Sequence, residues 1–263
     1  MTNRTNSFEN YEEVRYGYSN IYYHRFFELD KDGKMLSNIW ASGNEGFCLS
    51  MLSKIFNSER GYPEEFPTVS DSNGRTGRCV KLQTLSTGDM GRSTNRPIAA
   101  GNLFLGKFNI TYAATNSLLA TEMGIPFAGE PVRVTGYYKY KRGTEFTGAD
   151  SKVIPGRQDE ADIYAVLYRN KDDNGNAVML NGGNVLTSPY IVRKARVASL
   201  LEADEWTPFD MFFEGDTPID KVLLENLGYN LALVFSSSKS GATFEGAVGS
   251  TLYIDDVVLS VKE

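Results

Sequence analysis

Only one histidine, His24, and two cysteines, Cys48 and Cys79, occur in the chain. A zinc centre of the usual Cys/His type needs three or four such ligands, so one is all but excluded. A Ser-His-Asp triad would have to use His24, which sits among Tyr22, Tyr23, Phe26 and Phe27. A lone histidine in such company is more often a packed or hydrogen-bonded residue than a base. Cys48 and Cys79 could pair in a secreted chain, but no spacing rule supports it, and free, partly buried thiols are the reading preferred here. No run of eighteen apolar residues is present, so no transmembrane helix is expected. The opening MTNRTNSFEN has no apolar centre and does not read as a signal peptide. Basic residues are outnumbered, 27 to 33, giving a net charge of −6, which argues against a nucleic-acid partner. The Gly-rich pieces Ser240-Gly241 and Gly246–Gly249 lack the lysine and following helix of a phosphate loop. No repeat period and no break in composition divide the chain, so residues 1–263 are read as one domain.

Aromatics, by contrast, are abundant: 15 Tyr and 15 Phe, residues that strands favour. Ser7–Arg15 reads as a strand entry anchored by Phe8, and Ile21–Leu29 as extended chain. Asp32-Gly33 and Asp173-Asn174-Gly175 are turns, and Asn181–Asn184 (NGGN) is another. Asn38–Asn44 is a loop carrying Trp40, and Gly61–Gly77 is a surface loop. Cys79–Leu85 alternates, with Val80 and Leu82 inward. Phe104, Phe108, Ile110 and Tyr112 recur at period two and read as one strand. Further on, Val132, Val134, Tyr138 and Tyr140 share one face, and Arg133, Thr135, Tyr137 and Lys139 share the other. Strands are also expected at Ile163–Tyr168, Ser188–Val197, Trp206–Phe213 and Tyr229–Phe235. Helix is scarce: one turn at Ser117–Gly124, and a short helix between Pro218 and Gly228. Many short strands with close turns and little helix give an all-β sandwich.

The final stretch sets the main puzzle. A polar, Gly-rich loop, Ser236–Ser250, leads into a strand with apolar residues on both faces, read as buried on both sides. Two acids, Asp255 and Asp256, interrupt it, and neighbours in a strand face opposite ways. At least one carboxylate therefore faces packed material and needs donors or a cation, since leaving it bare costs several kcal/mol, roughly.

Several stretches then carry a resemblance: AAGNLFLGKF (Ala99–Phe108), PFAGEPVRVTGYYKY (Pro126–Tyr140), DIYAVLY (Asp162–Tyr168) and SSSKSGATFEGAVGSTLYIDDVVL (Ser236–Leu259). With FEN at Phe8–Asn10 and WASGN at Trp40–Asn44, the chain resembles the putative carbohydrate metabolism domain family of Gram-negative gut bacteria over nearly its whole length. The resemblance implies a jelly-roll β-sandwich like carbohydrate-binding modules, with a few short helices in loops. It also implies the C-terminal part of a longer protein exported to the cell surface or outer membrane, often as a lipoprotein, with Ig-like domains ahead of this one. The family's activity is not established, and fold alone does not supply it.

Three functions compete. The first is binding of an oligo- or polysaccharide. Sugars stack apolar C–H faces on flat rings and bond their hydroxyls to acids, amides and Arg. The candidate residues are Trp40 in its Gly/Asn/Ser loop, Tyr137 beside Arg133 on a mixed polar face, and Tyr23 with His24. A rim position covering the core and an ordinary cross-strand pair are the competing readings for Trp40 and Tyr137. The second function is glycoside hydrolysis, which requires two carboxylates roughly 5–10 Å apart. Asp159, Glu160, Asp162, Glu205, Asp210 and Glu214 are available, but nothing in the sequence places two across a cleft. The third is a structural or adhesive surface module. No cofactor is required by any of these. The resemblance also raises a structural calcium ion, held by Glu9, Asp255 and Asp256 in the positions where jelly-roll modules often place one. The competing reading is that Asp255 accepts backbone N–H bonds from the glycine loop.

Overall fold

The computed structural model describes residues 1–36 and 39–262. Asn38, the first residue of the loop expected before Trp40, lies outside the described residues. Two antiparallel sheets face each other. The first has the strand order Ala203–Phe212, Glu130–Lys141, Thr251–Lys262, Cys79–Gln83, Thr68–Asp71, and Thr2–Asn6 also pairs with Thr251–Lys262. The second runs Thr121–Met123, Asn102–Phe108, Tyr229–Ser236, Asp162–Arg169, Ile191–Arg196. Trp40–Ala41 pairs with Asn102–Phe108 in this second sheet. From Glu130 onward the chain passes repeatedly between the sheets, which is the jelly-roll arrangement expected. No described helix is long and apolar enough to cross a membrane.

The core forms where the period-two faces meet. Val134, Tyr138 and Tyr140 of the first sheet pack against Ile163, Leu233 and Phe235 of the second. Burying each of these side chains stabilises the fold by about 1.5–3 kcal/mol. Phe8 closes one end of this core and is held at φ +55°.

The last strand is not buried on both sides. Thr135 pairs with Val258 but Tyr137 pairs with Asp255, so two residues, Asp256 and Val257, face Gly136 alone. This is a β-bulge, with Asp256 in the left-handed region at φ +48°. The extra residue shifts the alternation by one. Leu252 and Ile254 before it, and Val257, Leu259 and Val261 after it, all point inward. Both faces looked apolar because the phase changes at the acids.

Other expectations also change. The strand beginning near Phe104 ends at Phe108, and Ile110 and Tyr112 belong to a helical turn, Ile110–Ala113, capped by the Asn109 side chain. The loop Gly61–Gly77 contains the strand Thr68–Asp71. Helical turns run unforeseen through Asn44–Phe56, where Phe47, Met51 and Ile55 recur at i, i+4 and i+8 and pack together. Another short helix spans Gly88–Ser93. The expected helix between Pro218 and Gly228 is Lys221–Glu225, started by Asp220, whose side chain accepts from the N–H groups of Val222 and Leu223.

Candidate functional site

Along the second sheet, alternation sends Leu103, Ile163 and Phe235 into the core and turns their neighbours outward. Register then lines up these outward residues. Asn102, Ser236 and Asp162 form one row across three strands, and Phe104, Val234, Tyr164 and Arg196 form the next. Over them lies a cavity of about 630 Å³, within the size range of small-ligand sites, roughly 300–1,000 Å³. Its walls come from the Asn44–Met51 turns, the segment 113–121, the loop 182–187 and the Gly-rich loop near Phe244. Arg96 ties two walls together by donating to the carbonyls of Ala113 (2.9 Å) and Ala114 (3.0 Å).

Asp162, 5% exposed, is the single carboxylate on the cavity wall among the described residues. Arg196 grips it with two bonds, Nε to Oδ1 at 2.9 Å and Nη2 to Oδ2 at 2.6 Å. Burial pushes the Asp162 carboxyl above the ordinary range, while Arg196 opposes that shift. Tyr164 stands beside the pair and is 7% exposed. Its hydroxyl has one hydrogen-bond partner among the described residues, the Met123 sulfur at 4.0 Å. Burial pushes its phenol upward, so it remains a neutral O–H donor. Two further cavities, of about 550 and 210 Å³, also carry one carboxylate each, Glu122 and Glu45.

The five residues singled out for sugar contact fall in two other places. Tyr23, His24 and Trp40 line the 210 Å³ cavity. Of the two readings of Trp40, an exposed ring and one covering the core, the ring takes the second: it is 2% exposed, with Phe8 at 5.5 Å and Phe235 at 6.1 Å between ring centres. Its pairing with Leu105 draws the loop into the sheet, and its indole N–H donates to Glu28 at 2.9 Å. His24 is buried, and its Nδ1 accepts from the Ser70 N–H at 3.0 Å, which places the proton of the neutral ring on Nε2. Desolvation pulls its pKa down. Tyr23 packs on Phe66. Arg133 and Tyr137 lie across the molecule, on the outer face of the first sheet. There Arg133 makes two 2.6 Å bonds to Asp210, and the Arg75 guanidinium covers the Tyr137 ring at 3.9 Å. None of the five lines the large cavity. Of its polar residues, sequence reasoning named Asp162 only as one acid among several. Tyr164 and Arg196 were hidden in runs read as strand.

The sequence matches the model of the family described as putative carbohydrate metabolism domain over residues 7–260. The chain belongs to that family. Two solved structures are similar to this family member at full length. One, from Bacteroides thetaiotaomicron and named a putative glycoside hydrolase, is 38% identical with a TM-score of 0.87, covering 98% of this chain and 71% of its own. Another of the same name, from Bacteroides vulgatus, is 39% identical with a TM-score of 0.86, covering 98% of each chain. A family 11 carbohydrate-binding module from Clostridium thermocellum aligns over 74% of this chain and 81% of its own at 10% identity and a TM-score of 0.34, a distance at which it carries no argument. No protein with a curated description matches. The domain is thus carbohydrate-related.

The resemblance also raised calcium, and the three acids of this carbohydrate metabolism domain do not fit one. Asp255 Oδ2 accepts from the N–H groups of Arg75 (2.7 Å) and Thr76 (3.2 Å), and Oδ1 from that of Asp256 (2.7 Å). Asp256 pairs with the Arg75 guanidinium at 2.8 Å. Both Glu9 oxygens accept from the Arg78 N–H at 3.1 Å. Lone pairs that a cation would need already face N–H donors, and Arg75 supplies the counter-charge. No three His, Cys, Asp or Glu side chains form a metal-binding group among the described residues. The unfolding temperature is therefore expected to be the same in excess chelator and in millimolar calcium. A rise of several degrees with calcium in a thermal scan would overturn this assignment.

The donors to Asp255 come from residues 75, 76 and 256, not from the C-terminal glycine loop. That loop closes on a different acid, Asp159, whose Oδ2 accepts from Ser238 Oγ (2.6 Å), Ala247 N–H (2.7 Å) and Ser250 Oγ (2.7 Å). A side chain at Gly246 would meet Ser238 Oγ at 2.6 Å, so the loop's glycine lets backbone close on the carboxylate. Cys48 and Cys79 are both free and buried, as read from the sequence, and burial pushes each thiol up to about 12.

Proposed function

We propose that this domain binds a glycan in the cavity over its second sheet and does not cleave it. The observation that carries the reading is the carboxylate count. Cleavage requires an acid and a second carboxylate roughly 5–9.5 Å apart; each of the three cavity walls carries one, and Glu160, whose charge acts on Asp162, lies off the wall in an ion pair with Lys239 at 3.4 Å. In the largest, that one is Asp162, fixed by both of its oxygens to Arg196. A carboxylate so held neither donates a proton nor attacks an anomeric carbon. It orients the guanidinium, whose remaining N–H groups can donate to sugar hydroxyls. The Tyr164 O–H adds a further donor. The relatives named as glycoside hydrolases would require a second carboxylate at this place.

The test is a broad panel of plant, microbial and host glycans, titrated against the wild-type protein, Tyr164→Phe and Arg133→Ala. Tyr164→Phe is expected to weaken the best ligand about tenfold, the value of one hydrogen bond to a buried partner. Arg133→Ala, on the opposite face of the sandwich, is expected to leave affinity unchanged. No new reducing ends should form on prolonged incubation. Reducing ends released from a bound glycan would move the assignment to hydrolysis, and affinity lost in Arg133→Ala alone would move the site to the first sheet.

A further inference from the structure

On the wall of the large cavity most polar side chains are already bonded, with Ser117 and Thr187 as free hydroxyls among the described residues and Lys239 paired with Glu160. Thr87 Oγ1 donates to the Arg96 carbonyl, Thr121 Oγ1 to that of Leu118, and Ser236 Oγ to that of Ser238. Arg96 is committed to two carbonyls, and the Asn102 side chain is engaged by Gly43 and Ala100. These polar side chains look inward to their own backbone. What they leave toward the cavity is largely apolar: Leu118, Met123, Val185, Leu186, Val234 and Phe108. Met123, Val185 and Val234 pack in one cluster with Tyr164, so the apolar wall adjoins the tyrosine hydroxyl and the Asp162–Arg196 pair.

A sugar that shows only hydroxyls meets this wall badly. Each hydroxyl turned toward Met123 or Val185 would lose its water without gaining a partner, at a cost of about 1–3 kcal/mol. An acyl group reverses the sign of that contact. Its methyl end gains from burial, and its carbonyl accepts from an O–H or guanidinium donor of the kind that Tyr164 and Arg196 supply. We propose that the cavity selects glycans bearing acyl substituents, N-acetyl or O-acetyl, with the acyl methyl against Leu118, Met123 and Val185 and the polar ring edge toward Tyr164 and Arg196. This rests on the glycan-binding reading of the same cavity and narrows its ligand class.

The experiment uses matched pairs on the intact protein. O-acetylated xylo-oligosaccharides are titrated before and after mild alkaline deacetylation, which removes the acyl groups and leaves the chain neutral. The N-acetylglucosamine trimer is compared with cellotriose in the same way. Acylated members are expected to bind at least tenfold tighter, and Leu118→Asn, a change at a half-buried wall position, should erase that preference while circular dichroism stays unchanged. Equal affinities within both pairs would overturn the acyl inference and leave the glycan reading standing. Failure of all four probes to bind the folded protein would also overturn it, and the wider panel above then decides the glycan reading separately. Binding of the apolar anion anilinonaphthalene sulfonate, with no glycan bound anywhere in that panel, would remove both.

Discussion

Asp159→Ala is expected to lower stability by about 3–5 kcal/mol, because it leaves several buried donors without an acceptor. The carboxylate is 1% exposed. Besides the three donors to Oδ2, the Glu160 N–H reaches Oδ1 at 2.9 Å. Burial pushes this carboxyl upward and the surrounding hydrogen bonds pull it back. The network extends further: Thr84 Oγ1 lies 2.8 Å from Ser237 Oγ and 2.6 Å from Ser238 Oγ, and Ser237 Oγ accepts from the Gly101 N–H. Ser250 Oγ accepts from the Gly143 N–H at 2.9 Å. One carboxylate thus gathers the Ser/Gly loop and anchors it to segments of both sheets. An alanine offers none of these donors an acceptor. With about 2–4 °C per kcal/mol for a domain of this size, the unfolding temperature should fall by roughly 10 °C. A denaturant or calorimetric measurement giving a loss under about 1 kcal/mol would mean that water replaces the carboxylate readily, and the anchoring role would be withdrawn.

Trp40→Ala is expected to cost about 3–5 kcal/mol of folding free energy and to report on the core, not on ligand contact. The ring fills the space between Phe8 and Phe235, and its N–H is the side-chain hydrogen bond that opposes the upward push of burial on Glu28. Truncation leaves a cavity and a half-buried carboxylate without its partner. Trp40→Phe separates the two effects: it keeps most of the packing and removes the bond, for about 1 kcal/mol. Equilibrium unfolding of both variants, with glycan titration of whatever remains folded, checks this. A Trp40→Ala protein of wild-type stability that has lost glycan binding would return Trp40 to the site.

How much was legible depended on the range of the interaction. Strand positions followed from period two, as in Val134, Tyr138 and Tyr140, because alternation is a property of the local backbone. The free thiols and the carbohydrate-related family were also readable from residue counts and contiguous stretches. The bulge at Asp255-Asp256 was visible only as an anomaly, apolar residues on both faces, because a one-residue slip leaves no local mark except a changed phase. Loops were least legible. Trp40 sits in a polar stretch that left exposure and burial both open, and pairing with Leu105 swings it inward, a contact 65 residues away in sequence.

The sequence by itself determined the all-β class and the family, because these depend on residue types, their periodicity and their nearest neighbours. Tertiary structure alone decided which acids have donors and which residues share a cavity. Asp159 meets Ala247 and Ser250, and Asp255 meets Arg75, across separations of 88, 91 and 180 residues. Asp162, Tyr164 and Arg196 come together through cross-strand register, and a carboxylate's partners, not its place in the chain, set whether it holds a structure, a sugar or a proton.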